Sequence, residues 1–512
     1  MQIDTPLRSS RLLEAMRGQP RALVYAVIAG HAVAMAVAML MVDASPPREV
    51  VEALAVGREH VLGTAAQPPL TAWVLSLAYW LGGGRLGALA VAGALADALA
   101  LWAVFQLARS IVGERQGALA TVLAAGVASL TWLPPALDND RLLLPLFTLA
   151  ALHLWRAAGQ GRRHYWVLVA LDLALMIATK YEAIVLALVL MLALAASERG
   201  RAVFRAPEPW GALAIAGALV WPHFLWVATS EVAPVHGLGG LSDIAGLIQA
   251  RAAAWLAALG LGVLGHAGLA GLLALLVVPR RGERDDAPTF ARPTPDVTAR
   301  RYAVTLAFAP APAFALVGLA VGETPTFETL VPLFAFSGLA AVLLLGPAIA
   351  FHRHGLAGQA LAVLTLAPAA VAVLTALALP YTRSQGADTN WPSADIARWF
   401  TEVYRIRTDQ QLAIVAGDGW TGGTLVLASR DQPRLYLDAD PARAPWITDD
   451  AVARAGVLAV WRVDGGNANP PPSLRARFPG MTVETPRSFE WAIAGRLPPI
   501  RIGWAVIPPR AD

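Results

Sequence analysis

Cysteine is absent from this chain of 512 residues, and charge is scarce in it. The lack of cysteine excludes disulfide bonds, thiolate catalysis and cysteine metal sites. Asp, Glu, Lys and Arg make up only 15% of the residues, whereas soluble globular domains carry about 25%. With 56% hydrophobic residues and a mean hydropathy of +0.54, the composition excludes an ordinary soluble protein and predicts an integral membrane protein.

Long apolar runs recur through the first three quarters of the chain. Runs of about 18–20 residues are long enough to cross the hydrocarbon core as helices, which satisfy their own backbone hydrogen bonds in lipid. The first run is too long for a signal peptide and lacks a small-residue cleavage site, so we expect an uncleaved span. Eleven spans are predicted, at 22–42, 86–108, 116–134, 141–157, 165–179, 183–197, 209–229, 247–278, 302–321, 327–351 and 357–380.

The distribution of arginine predicts the orientation of these spans. Four arginines precede the first span, so the positive-inside rule assigns the N-terminus to the cytoplasm. With eleven spans all basic loops fall on that side, which accounts for the net charge of +4 without nucleic-acid binding. The outer loops are then 43–85, 135–140, 180–182, 230–246 and 322–326.

Two further segments complete the predicted architecture. The apolar run at 68–84 begins at a Pro-Pro pair and is rich in Trp and Tyr, which is typical of a helix lying at the membrane interface. Residues 381–512 contain Pro, Gly, Asp and Arg throughout, with short β-like runs such as LAIVAG and VLAVWRV. We therefore predict a transmembrane domain over 1–380 and a small soluble α/β domain over 381–512 on the outer side.

Carboxylates and cations collect in the predicted outer loops. Asp138 and Asp140 precede one span, and Lys180 follows another. The first outer loop adds Glu49 and Glu52, one helical turn apart, and also Arg58 and His60. A carboxylate can take a proton from an attacking hydroxyl, and a cation can stabilise a leaving phosphate. Charges that only cap span ends explain any single residue better, but they do not explain the convergence on one side.

The order of the motifs resembles a known family. An acidic outer loop is followed by QPPL at Gln67–Leu70, an acidic pair before a Leu-rich span, and TK ending at Lys180. This order resembles the polyprenyl-phosphate-dependent glycosyltransferases of the GT-C fold, and among them the bacterial relatives of aminoarabinose transferase and of the protein O-mannosyltransferases. The C-terminal stretch IGWAVIPP is similar to a branch of these bacterial proteins.

The resemblance implies roles for individual residues. Asp140 matches the acidic residue before the Leu-rich span, and Lys180 matches a lysine near the donor phosphate. Glu49 falls where the family has the Asp of its first outer loop, and its longer side chain leaves Glu52 or Asp43 as alternatives for the base. The other candidates are Asp138 as a second acidic group, Arg58 for the phosphate, and His60 with Gln67, which replaces a His, lining the substrate site.

The function that the resemblance implies is sugar transfer from a polyprenyl-phosphate carrier, with inversion, on the periplasmic side of the bacterial inner membrane. The acceptor is expected to be a lipid or a cell-envelope glycan such as lipopolysaccharide, not a nucleic acid. No cofactor is expected, and no metal cage is evident in the sequence, although a divalent metal remains an alternative.

Two other classes of function compete with this one. A transporter predicts inverted repeats and functional charge at mid-membrane, where only Asp97 and Asp172 lie, and we expect both to be paired within the bundle. A non-catalytic envelope-assembly protein predicts that the outer carboxylates can be replaced without effect. His223, near the outer end of a span, is expected to be a hydrogen-bonded histidine of the aromatic belt.

Overall fold

The computed structural model describes residues 10–63, 67–134, 136–229, 244–279, 287–321, 325–383, 386–463 and 468–510. The first half is helical, with α1 Arg11–Gly18, α2 Pro20–Val42, α3 Arg48–Gly57, α4 Leu70–Leu81, α5 Gly87–Val112, α6 Glu114–Ala124, α7 Ala128–Thr131, α8 Asn139–Leu154, α9 Tyr165–Thr179, α10 Ala183–Ala195, α11 Glu198–Val203 and α12 Pro207–Thr229. A π-helix, Trp155–Gly159, continues α8.

The helical part continues to residue 382. Its elements are α13 Ile244–Leu264, α14 Ala267–Val277, α15 Val297–Phe308, α16 Pro310–Val321, α17 Ser337–Leu344 and α18 His354–Thr382. The 3₁₀ turns Glu328–Leu330 and Pro332–Phe334 precede α17, and strands β1 Thr289–Ala291 and β2 Ala348–Ala350 form a two-stranded antiparallel sheet.

The predicted polytopic helical fold is confirmed. In the described residues, six helices are long and apolar enough to cross a membrane, and a seventh span results if α15 and α16, bent by 43°, count as one. Four shorter apolar helices accompany them, so the count of eleven spans stays a prediction. The predicted outer loops at 230–246 and 322–326 lie mostly outside the described residues. The six long helices are Pro20–Val42, Gly87–Val112, Asn139–Gly159, Pro207–Thr229, Gln249–Val277 and His354–Thr382.

Helix α4 coincides with the run expected to lie at the membrane interface. Its 12 residues extend for about 18 Å at 1.5 Å per residue, which is less than the roughly 30 Å hydrocarbon core. The Pro-Pro pair precedes the helix, and Gly83 and Gly84 follow it with positive φ angles that favour glycine. Trp80 and Leu81 are exposed, which suits contact with the interface.

The two carboxylates within long or apolar helices are both paired. Asp97 of α5 accepts a hydrogen bond from Arg141 of α8 at 3.1 Å, and both side chains are almost completely buried. Asp172 of α9 lies 2.7 Å from Nδ1 of His153. Each pair ties neighbouring helices together, as expected for ionisable groups in a membrane bundle. Neither carboxylate therefore offers the unpaired charge that a transporter pathway would use.

The C-terminal region contains the predicted mixture of helices and strands. It consists of α19 Ser393–Thr408, β3 Ile414–Gly417, α20 Thr421–Ala428, β4 Arg434–Leu437, α21 Asp449–Ala455, β5 Val457–Arg462, α22 Pro472–Arg477, β6 Arg487–Phe489 and β7 Ile500–Ile507. The sheet order is β4-β3-β5-β7-β6, with β3 parallel to β4 and β5, and β7 antiparallel to its neighbours.

The C-terminal region is fixed to the first outer loop. Arg434 of β4 donates two bonds to Glu59, at 3.0 and 2.5 Å, while Arg58 donates to the side chain of Gln432 at 3.1 Å. The Tyr79 hydroxyl of α4 donates to the carbonyl of Leu427 at 2.7 Å. Helices α3 and α4 are therefore held between the membrane helices and the C-terminal sheet.

Candidate active site

Asp140 and Lys180 form an ion pair where two spans end. Asp140 lies in the first turn of α8, and Lys180 is the residue that ends α9. The Lys180 Nζ lies 3.1 and 3.3 Å from the two Asp140 carboxylate oxygens. The side chains are only 11% and 13% exposed, so each charge depends on the other in a poorly hydrated place.

Lys180 has a chemical identity that no other side chain of the protein shares. Of the 40 Lys and Arg residues, it is the only lysine. An ammonium group is a compact point charge with three donors, whereas guanidinium is a planar fork. Sequence inspection for residue types used only once would have singled out this position without any family resemblance.

Asp138 has a structural position beside this pair. It caps α8, because its Oδ1 accepts the backbone N–H of Arg141 at 2.7 Å. Burial raises the pKa of Asp138 to about 6, the Asp140 carboxylate raises it further, and Arg141 opposes the shift. The capping bond occupies one oxygen of Asp138, and the other can still accept a hydrogen bond.

Arg141 fixes the segment that precedes α8. Besides bonding Asp97, its Nη2 donates to the carbonyls of Leu133 and Pro134 at 3.3 and 3.2 Å. One buried guanidinium therefore joins α5, the turn before α8 and the first turn of α8. The sequence analysis did not identify Arg141, although a charged residue directly after DND at the start of a Leu-rich span was a visible signal.

Two further carboxylates face the ion pair. The charges of Glu182 and Glu328 both act on Asp140, and that of Glu328 also acts on Asp138. Neither was predicted from the sequence. Glu182 lies two residues after Lys180 and could have been found by proximity, whereas Glu328 comes from a 3₁₀ turn almost 150 residues later.

A cleft opens beside Lys180. Its walls come from α10, α13, α16 and the turn before α17, and they combine the ammonium group with aromatic and aliphatic surface. The lining residues that define it are Lys180, Glu182, Trp255, Phe314, Val317 and Thr329. The arrangement suits a ligand that has an anionic group attached to an apolar body.

His223 joins the first outer loop to the segment after Lys180. Its Nδ1–H donates to the carbonyl of Leu62 at 2.7 Å, and its Nε2 accepts from the Tyr181 hydroxyl at 3.0 Å. The ring also stacks on Tyr181 and Trp226. This agrees with the prediction of a hydrogen-bonded histidine, and the ring's two bonds leave neither nitrogen for a ligand.

The two glutamates of α3 do not meet the ion pair. Glu49 lies in the first turn of α3 and is exposed. Glu52 lies against Gly419 of the C-terminal region, and its charged neighbours are Arg48, Asp418, Glu49 and Arg443. Partial burial is the main reason that the pKa of Glu52 is raised. Their catalytic roles stay predictions, because nothing in these contacts tests them.

The remaining predicted residues occupy separate places. The side chain of Arg58 bonds the C-terminal residue Gln432, whereas Lys180 bonds Asp140. His60 is exposed in the turn after α3, with a φ of 53°. Gln67 is half-buried just before α4. The expected contacts of these three residues with substrate stay predictions.

A second cavity, of about 240 Å³, lies on the other side of the segment before α8. It is bordered by the end of α2, the start of α5, the stretch between α2 and α3, and Ala136 with Leu137. Its single titratable lining residue is Asp43, which the sequence analysis named only as an alternative to Glu49.

A metal site is not evident in the part of the chain that the structure describes. No group of three or more His, Asp or Glu side chains there has an arrangement that could hold a metal ion. The crowding of Asp138, Asp140, Glu182 and Glu328 around one lysine is thus reported as an acidic surround. The expectation that catalysis needs no metal stays a prediction.

Comparison with known proteins identifies the fold. Residues 66–226 match the family model described as dolichyl-phosphate-mannose-protein mannosyltransferase. The crystal structure of ArnT from Cupriavidus metallidurans bound to undecaprenyl phosphate is similar, with a TM-score of 0.56 and 14% identity over 93% of this chain and 97% of that one. Oligosaccharyltransferase AglB from Archaeoglobus fulgidus, complexed with an inhibitory peptide and a dolichol-phosphate, has a TM-score of 0.40 and 12% identity over 86% and 69% of the two chains. No curated protein matches by sequence. The chain has an ArnT-like GT-C fold.

Proposed function

We propose that this chain, which has the GT-C fold and matches the mannosyltransferase family model over residues 66–226, is a membrane glycosyltransferase that uses a polyprenyl-phosphate-linked sugar donor. The one observation that carries the proposal is the ion pair of Lys180 and Asp140 beside the apolar cleft. A lipid phosphate is an anion attached to an apolar chain, and this site combines a single ammonium group with apolar walls.

In the proposed reaction, Lys180 holds the donor phosphate. The acceptor oxygen forms a bond to the anomeric carbon as the bond from that carbon to the phosphate oxygen breaks. The polyprenyl phosphate leaves with the bonding electrons, and the ammonium group stabilises the charge that develops on it. A single displacement of this kind inverts the anomeric centre.

Asp140 has a distinct role in this proposal. A carboxylate bonded to Lys180 keeps the ammonium in place before the donor arrives, and the phosphate then competes for the same three donor hydrogens. Asp138, Glu182 and Glu328 repel a second anion, which favours departure of the phosphate after transfer. Asp140 is therefore assigned to orienting Lys180, and the base is sought elsewhere.

The location follows from the predicted topology. Asp140 and Lys180 lie at span ends on the side opposite the basic loops, so we place the reaction on the periplasmic face of a bacterial inner membrane. The acceptor is then a lipid or a glycan of the cell envelope. ArnT is described as bound to undecaprenyl phosphate, and we propose the same class of carrier here.

Mass spectrometry of envelope lipids and glycans tests the proposal. A deletion strain is complemented with wild type, Lys180→Met, Asp140→Asn or the control Arg398→Met, whose side chain is exposed in the C-terminal region, and membrane levels of all four are equalised. We expect one glycan mass to disappear on deletion and to return with wild type and Arg398→Met only. Full restoration by Lys180→Met would exclude phosphate stabilisation by Lys180. The absence of any changed glycan would contradict glycosyl transfer itself.

A further inference from the structure

The cavity next to Asp43 lies where the bilayer meets the outer surface. Its walls include Met39 and Leu40 at the end of α2, and Leu86 and Leu89 at the start of α5. Leu40 is 54% exposed on the outside of the bundle, on a helix that is apolar enough to cross the membrane. A molecule embedded in the outer leaflet can thus reach this cavity along α2 without leaving the lipid.

Two polar groups in this apolar cavity lack partners. In the described part of the chain, no ion-pair partner is found for the Asp43 carboxylate, and the Ser45 hydroxyl, on a residue only 2% exposed, has no hydrogen-bond partner. A buried polar group without a partner costs free energy. A hydroxyl and a carboxyl side by side would both be satisfied by a ligand that donates one hydrogen bond and accepts another.

We propose that this cavity binds the acceptor, and that the acceptor is a membrane lipid whose hydroxyl group lies on Asp43 and Ser45. The inference rests on the proposed function and adds to it the class of acceptor and a second catalytic residue. The apolar part of the lipid packs on Leu40, Leu86 and Leu89, and a protein acceptor has no comparable use for an apolar cavity that borders the bilayer.

The chain path brings this cavity close to the donor site. Leu137 lines the cavity, and Asp140 holds Lys180. Three residues separate them, so their Cα atoms lie at most about 11 Å apart even if that segment is fully extended. The two sites share one wall, the segment 136–140, and an acceptor on one side can reach a sugar held on the other.

The proton of the acceptor hydroxyl goes to Asp43. As the hydroxyl oxygen bonds the anomeric carbon and the polyprenyl phosphate departs with the electron pair, the Asp43 carboxylate takes the hydroxyl proton. Burial raises the pKa of Asp43 to about 7, which makes it a better base than an exposed carboxylate. The Ser45 hydroxyl donates to or accepts from the same acceptor oxygen and so orients it.

Other charged groups surround the cavity without entering it. Helix α3 contributes Arg48 and Glu49, the turn before α5 contributes Arg85, and the segment before α8 contributes Asp138. Residues 44 and 45 pack on the 3₁₀ turn at 388–390, where Asp388 lies 3.7 Å from Arg48. Burial is the only resolved cause of the Asp43 shift, so the pH response assigned to Asp43 is its own.

The test follows product formation in membranes that supply their own donor and acceptor. Expression is induced in the deletion strain, and the rate at which the missing glycan mass returns is measured for wild type, Asp43→Asn, Ser45→Ala and the cavity-filling variant Ala90→Trp. The matched control is Leu95→Trp, at a lipid-exposed position of the same helix. We expect losses of about a hundredfold or more for Asp43→Asn, with similar losses for Ala90→Trp and none for Leu95→Trp.

Three further readouts separate the outcomes. Undecaprenyl phosphate should still protect Lys180 from a lysine reagent in Asp43→Asn and Ala90→Trp, because the donor site is intact. The rate in wild type should rise through about pH 7, and the residual rate in Asp43→Asn should not. The product should partition into the organic lipid extract. Unchanged rates in both cavity variants, or a product linked to protein, would overturn this inference while leaving the proposed function standing.

Discussion

At the scale of single residues, the site depends on what each charged group has as a partner. Lys180 and Asp140 satisfy each other, so their burial is tolerated. Asp43 lacks such a partner, and its carboxyl keeps its proton to about pH 7. A folded-state pKa above the usual value near 3.9 means that the folded state binds this proton more tightly than the unfolded state does.

Asp43→Asn is therefore expected to stabilise the protein at high pH. The stability that the bound proton contributes is fully present below about pH 4 and is lost as the pH rises through about 7. Asn cannot ionise, so the melting temperature of Asp43→Asn should exceed that of wild type at pH 8, by more than it does at pH 5. The measurement is thermal unfolding in detergent at both pH values, with the exposed Asp395→Asn as control. An equal difference at both values would show that Asp43 is not a buried, unpaired acid.

At the scale of elements, one guanidinium organises the start of α8. Arg141 bonds Asp97 of α5 and the carbonyls of Leu133 and Pro134, while Asp138 caps the helix. The wall between the donor cleft and the Asp43 cavity is therefore positioned from below by a buried ion pair. The hydrogen bonds of Arg141 to carbonyl groups make its role more than that of a charge partner for Asp97.

Arg141→Met and the double variant Arg141→Met with Asp97→Leu separate these roles. The single variant leaves Asp97 buried and unpaired, which should cost about 3–5 kcal/mol of stability. The double variant should regain most of this loss. It should not regain transfer, because the turn at 133–134 still lacks its donor. Thermal unfolding and the product rate are measured together, and a double variant that transfers at the wild-type rate would exclude the positioning role.

The sequence predicted the central pair but not its surroundings. Asp140 and Lys180 were assigned because they match adjacent motif positions at predicted span ends. Glu328 was missed because it comes from a 3₁₀ turn far along the chain, and no local pattern links it to Asp140. Asp43 was named only as an alternative to Glu49, because burial and a missing partner are properties of packing that a single sequence does not display.

At the scale of the whole molecule, the C-terminal region and the first outer loop act together. The contact of Arg434 with Glu59 and that of Tyr79 with Leu427 hold α3 and α4 in place. The stretch 44–47 and the start of α3 form one wall of the Asp43 cavity. The sequence predicted the helical membrane part and the α/β region separately, but it contained no signal for the contacts that join them.

A charge swap tests this connection. Glu59→Arg or Arg434→Glu alone places like charges together, and each is expected to slow transfer severalfold because the cavity wall loses its support. The double swap restores an ion pair and should recover most of the rate, although an exposed pair contributes no more than about 1 kcal/mol. The product rate is compared across the four proteins. Single variants that transfer normally would show that the C-terminal region does not support the cavity.

Chemical labelling of Lys180 tests the central claim most directly, because the chain contains a single lysine. The purified protein is treated with an amine reagent with and without saturating undecaprenyl phosphate, with undecaprenol as the control lacking phosphate. Mass spectrometry follows the labelling of Lys180 against the N-terminal amine. The account predicts that undecaprenyl phosphate slows labelling of Lys180 at least tenfold, that undecaprenol has little effect, and that the N-terminus is unchanged. Labelling of Lys180 at the same rate with and without undecaprenyl phosphate would contradict the assignment of Lys180 to the donor phosphate.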